Sequence, residues 1–219
     1  AGRRVEVRKP SRGPKLGVIE HAVQNARDAL ARRMSESASQ LRLLEGLAKA
    51  LGLDGSPDRI EVYDNSHVSG TNAVGALIVV GREGFMRPAY RKFNIRRAGS
   101  GAASAGDDYD MMREVLERRF GRALREDPGR AGGGWPDLVL VDGGKGQLGV
   151  AKAVLEDLGI EDVALAAIAK GPDRNAGRER IFLPDRAQPI ELDPKDPVLY
   201  FLQRIRDEAH RVALTFHRA

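Results

Sequence analysis

Apolar positions along the chain change period several times, and each change marks an element. From Val18 to Leu51 they recur at Ile19, Val23, Ala26, Leu30, Met34, Leu41, Leu44 and Leu47. That three-to-four spacing predicts one or two amphipathic helices, with a bend near Ser35–Ser39. After Gly55-Ser56-Pro57-Asp58 the period drops to two. Arg59–Asp64 predicts a short strand, Ala73–Val80 a second and nearly all-apolar one, and Phe85–Phe93 a third, reached through the turn Gly81–Gly84. The Gly/Ala/Ser-rich stretch 98–106 predicts a flexible loop. Asp107 and Asp108 follow it, and acids suit the positive end of a helix whose core face is Met111, Met112, Val115, Leu116 and Phe120. Leu138–Val141 predicts a buried strand ending at Asp142, Lys145–Leu158 a helix and Val163–Lys170 a further strand, which together form a β-α-β unit with parallel strands. Residues 171–195 read as irregular or hairpin-like. A last helix, from about Asp196 to His217, carries Leu199, Leu202, Ile205, Ala209, Val212 and Phe216 on one face.

Three strands in a meander, then helix, strand, helix, strand and helix, predict an α/β fold: a mixed sheet covered by helices and preceded by an N-terminal helical arm. The ribonuclease H-like fold has this order, although order alone does not select it. The chain divides in this reading into a basic N-terminal segment with amphipathic helices, residues 1–56, and a folded domain, residues 57–219.

Composition narrows the chemistry. The 219 residues include no cysteine, so disulfides, thiolate zinc sites and a cysteine nucleophile are excluded. With no apolar run of spanning length and no signal peptide at the start, a soluble cytoplasmic protein with no membrane partner is expected. The formal net charge is +5, but residues 1–50 hold 11 basic against 5 acidic residues, leaving 25 against 26 in the rest of the chain. Basicity therefore belongs to the N-terminal segment, and the domain that follows is close to neutral.

Two aspartates stand at strand ends. Asp64 closes the first strand, where a carboxylate at the rim of a sheet can reach a metal ion; an Asx-turn acid would occupy the same position. Asp142 closes the apolar strand 138–141 and precedes Gly143-Gly144-Lys145-Gly146-Gln147. Ligands of open α/β sheets gather at the carboxyl ends of strands. The Gly-Lys pair is not a nucleotide phosphate loop, because Gly146 stands where Ser or Thr is needed and the glycine spacing is too short. His210 flanks the apolar stripe of the last helix and shares a face with Arg206. Two strand-end carboxylates and a histidine are the groups that oxygen-preferring metal chemistry on phosphodiesters uses. Lys145, Lys170, Arg91, Lys92, Arg96, Arg204 and Arg206 are the cations available for phosphate, with surface solvation the alternative for most.

The strings Asp64-Asn65-Ser66-His67, Tyr90-Arg91-Lys92-Phe93-Asn94-Ile95, Gly106-Asp107-Asp108-Tyr109, Asp137 to Gln147, and Gln203 to Arg211 occur in this order. Together they resemble the C-terminal endonuclease region of the UvrC family of bacterial nucleotide excision repair, over nearly the whole chain from Pro10. The resemblance implies a ribonuclease H-like fold and a divalent-metal-dependent endodeoxyribonuclease that cuts on the 5′ side of a lesion. It implies catalysis by Asp64, Asp142 and His210, with Asp64 and Asp142 holding Mg²⁺ or Mn²⁺ and Asp108 as a supporting acid. His67, Asn94, Lys145, Gln147 and Arg206 become supporting residues or phosphate contacts. The implied partners are damaged double-stranded DNA and, for the full-length protein, the UvrB–DNA complex. A full-length family member also carries an N-terminal nuclease module, a partner-binding module and a tandem helix-hairpin-helix domain, none of which is recognisable in this chain. Two other readings remain at this point: a general ribonuclease H or resolvase-type nuclease, and a catalytically inert scaffold for DNA or partner proteins.

Overall fold

The computed structural model describes residues 10, 12–66, 73–95, 105–171 and 178–217, with backbone only for 66, 105–107 and 217. The basic residues 1–9, His67 and most of the Gly/Ala/Ser-rich stretch lie outside this set. Two compact units result, Ala1–Ser39 and Gln40–Ala219.

Helix α1 runs unbroken from Pro14 to Leu51. The break expected near Ser35–Ser39 does not interrupt the helix. Serine lowers helix propensity by only a few tenths of a kcal/mol, and neither Gly nor Pro interrupts the segment. In the smaller unit Val18, Val23, Leu30 and Met34 of α1 are exposed. In the larger unit the last turns of the same helix bury Leu44, Leu47, Ala48 and Leu51.

Among the described residues the sheet has eight strands: β1 (Arg59–Ser66), β2 (Val74–Gly81), β3 (Gly84–Phe85), β4 (Arg91–Asn94), β5 (Leu138–Asp142), β6 (Ala164–Ala169), β7 (Arg180–Phe182) and β8 (Ile190–Glu191). Their order is β3-β2-β1-β5-β6-β7-β8, with β4 also paired to β2. The single return strand expected over Phe85–Phe93 is split into β3 and β4. Pro88 has no N–H and a fixed φ, and it sits in the short 3₁₀ turn Arg87–Ala89 between the two. Strands β1, β5 and β6 are parallel to one another, and β2 and β7 are antiparallel to their neighbours in that set.

Alternation along the central strands feeds two cores. Ile60 and Val62 of β1, Leu138 and Leu140 of β5, and Ala166 and Ile168 of β6 face helix α4 (Pro197–His217), meeting Leu202, Ile205 and Ala209. Tyr63, Val139, Val141 and Ala167 face the other way. They meet Met112, Val115, Leu116 and Phe120 of helix α2 (Ala105–Glu126), and Leu148, Ala151 and Val154 of helix α3 (Lys145–Asp157). Each face is thus apolar with a period of two, as buried strands of a helix-covered sheet require. The architecture is the mixed α/β sheet with covering helices that the sequence predicts.

Among the buried charges, Glu61 is the most completely enclosed. Glu61 on β1 is fully buried and accepts hydrogen bonds from Arg59 at 2.9 Å, Arg119 at 2.7 Å and the Tyr63 hydroxyl at 2.6 Å. A buried carboxylate is tolerated only when paired in this way, so the cluster ties α2 to β1 in one register. Among the described residues, no helix is long and apolar enough to cross a membrane.

Candidate active site

Parallel pairing of β1 and β5 runs through Tyr63–Val141. One residue further on each strand stand Asp64 and Asp142, neighbours across a strand spacing of about 5 Å. Continuing the alternation puts both on the α4 face of the sheet, at the carboxyl ends of its parallel strands, where open α/β sheets bind ligands. Gly143 then turns the chain into α3. Its φ is +148°, and a Cβ there would stand 2.6 Å from Gln147 Cδ, so only glycine permits this close turn. The Gln147 side chain reaches back to accept the Gly144 N–H at 3.2 Å, which closes the start of α3.

His210 arrives from α4, whose Pro197 start is capped by Asp196 Oδ1 accepting the Val198 N–H at 2.8 Å. Ile205, Ala209 and Val212 anchor the helix in the core. This phase brings His210 Nδ1 to 3.0 Å from Asp64 Oδ2. With Asp64 ionised, Nδ1 carries the donated proton and Nε2 is the basic ring nitrogen. The two partners differ in exposure: the Asp64 side chain is 9% exposed and that of His210 54%.

These groups line one cavity of about 220 Å³, together with Asn65, Asp108, Met112, Gln147, Lys170, Arg206 and Asp207. Burial pushes the Asp64 carboxyl above its ordinary range, against the hydrogen bond and charge of His210, which pull it down. Asp142 is pushed up to about 6, first by burial and then by the neighbouring Asp64 charge; Arg206, His210 and Lys170 offset part of this. Two adjacent, under-compensated carboxylates are a place where a cation is favoured.

The donor set fits a hard divalent ion. Asp64, Asp142 and Asp108 offer carboxylate oxygens at the cavity. Asn65 Oδ1, buried with no hydrogen-bond partner among the described residues, lies instead over Gly75 of β2, where an added Cβ would come within 3.0 Å of it. Among the described residues no group of three or more His, Cys, Asp or Glu is placed to hold a metal ion, so an ion here would rest on fewer protein ligands. Mg²⁺ binds commonly in this open manner, through one or two carboxylates, waters and substrate phosphates.

Other sequence candidates fare differently. Gln147 and Asp108 line the cavity. Lys145 is turned away: its Nζ donates to the Ala187 carbonyl at 2.7 Å, and it is absent from the cavity wall. Asn94 sits on the edge strand β4, where its carbonyl accepts from Arg118 at 2.8 Å, and it too is not part of the wall. His67 lies outside the described residues. Arg206 does reach the cavity, but its guanidinium is engaged. Nη1 donates to Glu179 Oε1 at 3.2 Å and Nη2 to Asp207 Oδ1 at 3.1 Å, while Gln203 donates to Glu179 Oε2 at 2.7 Å. Glu179, buried beside Arg206, carries no motif signal, and only the fold reveals it. Lys170, one of the cations that the sequence offers for phosphate, does line the cavity.

Comparison with known proteins adds to this geometry. Residues 48–214 match the family model described as the UvrC RNAse H endonuclease domain. The chain is 60% identical over 219 residues to the UvrABC system protein C of Paramagnetospirillum magneticum, covering all of this chain and 34% of that protein. It is 59% identical over 218 residues to the protein of the same name from Rhodospirillum rubrum, again covering 34% of it. The chain thus spans about a third of the length of these curated relatives. Among solved structures, the catalytic domain of human Endonuclease V superposes with a TM-score of 0.40 at 18% identity, covering 65% of this chain and 58% of that one.

Proposed function

From the UvrC RNase H endonuclease domain family, to which this chain belongs, we infer that it is the nuclease of a nucleotide excision repair protein, hydrolysing a DNA phosphodiester on the 5′ side of a lesion with the help of a divalent metal. The observation that carries this reading is the convergence, in one cavity, of Asp64, Asp142 and His210 from sequence blocks far apart in the chain. The substrate is damaged duplex DNA in the cytoplasm, delivered to the full-length protein by UvrB.

Asp64 and Asp142 would hold Mg²⁺ or Mn²⁺, which when bound polarises the phosphate and makes a water more acidic. Asp64 has a second task. Its Oδ2 fixes His210 at Nδ1, so that the imidazole plane is set and Nε2 is the atom available to take a proton from water or return one to the leaving oxygen. Burial of Asp64 keeps the hydrogen bond dry, and exposure of His210 leaves its ring open to substrate. Arg206, locked by Glu179, supplies fixed positive potential beside Asp142.

The test is incision of a lesion-bearing duplex in Mg²⁺, with the 5′ and 3′ cuts followed separately. Asp64→Asn and Asp142→Asn should lose the 5′ cut while keeping their fold by circular dichroism. Near-normal 5′ cutting by either variant would sink the reading. Cleavage of RNA–DNA hybrids or branched DNA without a partner, by the unaltered protein, would favour a general nuclease instead.

A further inference from the structure

A phosphodiester enters the site with one negative charge and acquires another as water attacks phosphorus, before the bridging oxygen leaves. Asp64 and Asp142 bring negative charge of their own to the cavity, so the charge that develops on the non-bridging oxygens calls for a basic side chain beside them. Of the basic groups suggested by sequence, Lys145 is spent on the Ala187 carbonyl outside the cavity. Arg206 is buried and held by Glu179 and Asp207.

Lys170 differs from both. It follows β6, whose Ile168 pairs with Asp142 in the parallel register. Ala166 and Ile168 belong to the α4-side core, so continuing the alternation by two residues puts Lys170 on the face that carries Asp64 and Asp142. It is exposed, it lines the same cavity, and its charge is felt by both aspartates. The backbone beneath it is fixed on both sides. On one side is the strand; on the other is Gly171, which packs so closely on Arg178 that an added Cβ would come within 2.3 Å of the Arg178 carbonyl oxygen. Among the described residues Lys170 makes no hydrogen bond or ion pair.

We propose that Lys170 is the phosphate-binding cation of this site, its ammonium contacting a non-bridging oxygen of the scissile phosphate and stabilising the charge that gathers there. The assignment rests on the reading of the cavity as a nuclease site, and it divides the work between two cations. Arg206 is a fixed counter-charge for the carboxylates, and Lys170 is the mobile partner of the substrate.

Single-turnover incision of a lesion duplex by the full-length protein with its loading partner tests this. Lys170→Met should slow the 5′ cut by about 100-fold, the scale of losing one well-placed transition-state donor. DNA affinity and Mn²⁺ affinity should stay within about twofold, and Lys170→Arg should recover part of the rate. Phosphorothioate substrates add a readout that a structural role would not move. Sulfur in place of the contacted non-bridging oxygen should slow the unaltered enzyme, yet add little in Lys170→Met, because the contact is already lost. Full additivity for both thio-diastereomers, or a Lys170→Met rate within twofold of normal, overturns the proposal. Asp64→Asn run alongside separates the two failures. If it is inactive while Lys170→Met cuts normally, only the lysine assignment falls; if it also cuts normally, the site reading falls with it.

Discussion

Replacing Asp142 with asparagine should make the metal-free protein more stable at neutral pH. Asp142 has its carboxyl pushed from an ordinary 3.8 up to about 6 by burial and by Asp64. Well below 3.8 the group is protonated in both folded and unfolded chains, and no penalty exists. As pH rises from about 4 to 6 the unfolded chain releases the proton more readily than the folded one, so stability falls through that window and stays low above it. Each pH unit between the two values is worth about 1.4 kcal/mol, so holding Asp142 ionised at pH 7.5 costs about 3 kcal/mol. Asparagine keeps the shape and removes the charge, but its amide is still desolvated, so a gain of about 1–3 kcal/mol is expected at pH 7.5. At pH 4 the gain should shrink toward zero. Urea denaturation in EDTA at the two pH values measures this directly. A gain of equal size at both, or none at pH 7.5, would refute the argument that charge burial at Asp142 is the source. Added Mn²⁺ should then reverse the order, stabilising the unaltered protein and not the variant.

Other consequences are as concrete. His210→Asn can still donate an amide N–H to Asp64 but has no basic nitrogen in place of Nε2; it should fold normally and lose at least 100-fold in the 5′ cut, whereas retention of activity would reduce His210 to a spacer. Arg119→Met strips one of two guanidinium partners from the buried Glu61 carboxylate, so urea denaturation should show a loss of about 3 kcal/mol, part of it recovered by adding Glu61→Gln. Gly143→Ala places a Cβ against Gln147 at a φ of +148°; a loss of about 2 kcal/mol by thermal denaturation is expected, with slower incision because the turn that positions Asp142 must shift.

The parts of this protein legible in its sequence are those governed by period and by strand ends. Ile60, Val62, Leu138 and Leu140 alternate with residues facing the other core, and that pattern alone puts Asp64 and Asp142 at the rim on one side of the sheet. Helical spacing on the last helix likewise keeps His210 beside its buried stripe. Less could be read wherever a long side chain chooses among distant partners. Lys145 sits next to Asp142 in sequence, yet its four-carbon stem carries the ammonium to a carbonyl in the loop at Ala187. Arg206 shares a face with His210 but is captured by Glu179. Local propensity also misled where one residue outweighs its neighbours. Three serines were too weak to break α1, whereas Pro88 was enough to split a strand whose composition is otherwise regular.

The central claim is that Asp64, Asp142 and His210 form one metal-dependent phosphodiester-cleaving site. A crystal structure of the protein soaked in millimolar Mn²⁺ tests it most directly. The account predicts an anomalous peak bound by carboxylate oxygens of both Asp64 and Asp142 at about 2.1–2.2 Å, with His210 still hydrogen-bonded to Asp64 through Nδ1. Full Mn²⁺ occupancy elsewhere, with the two carboxylates left without metal, would contradict it.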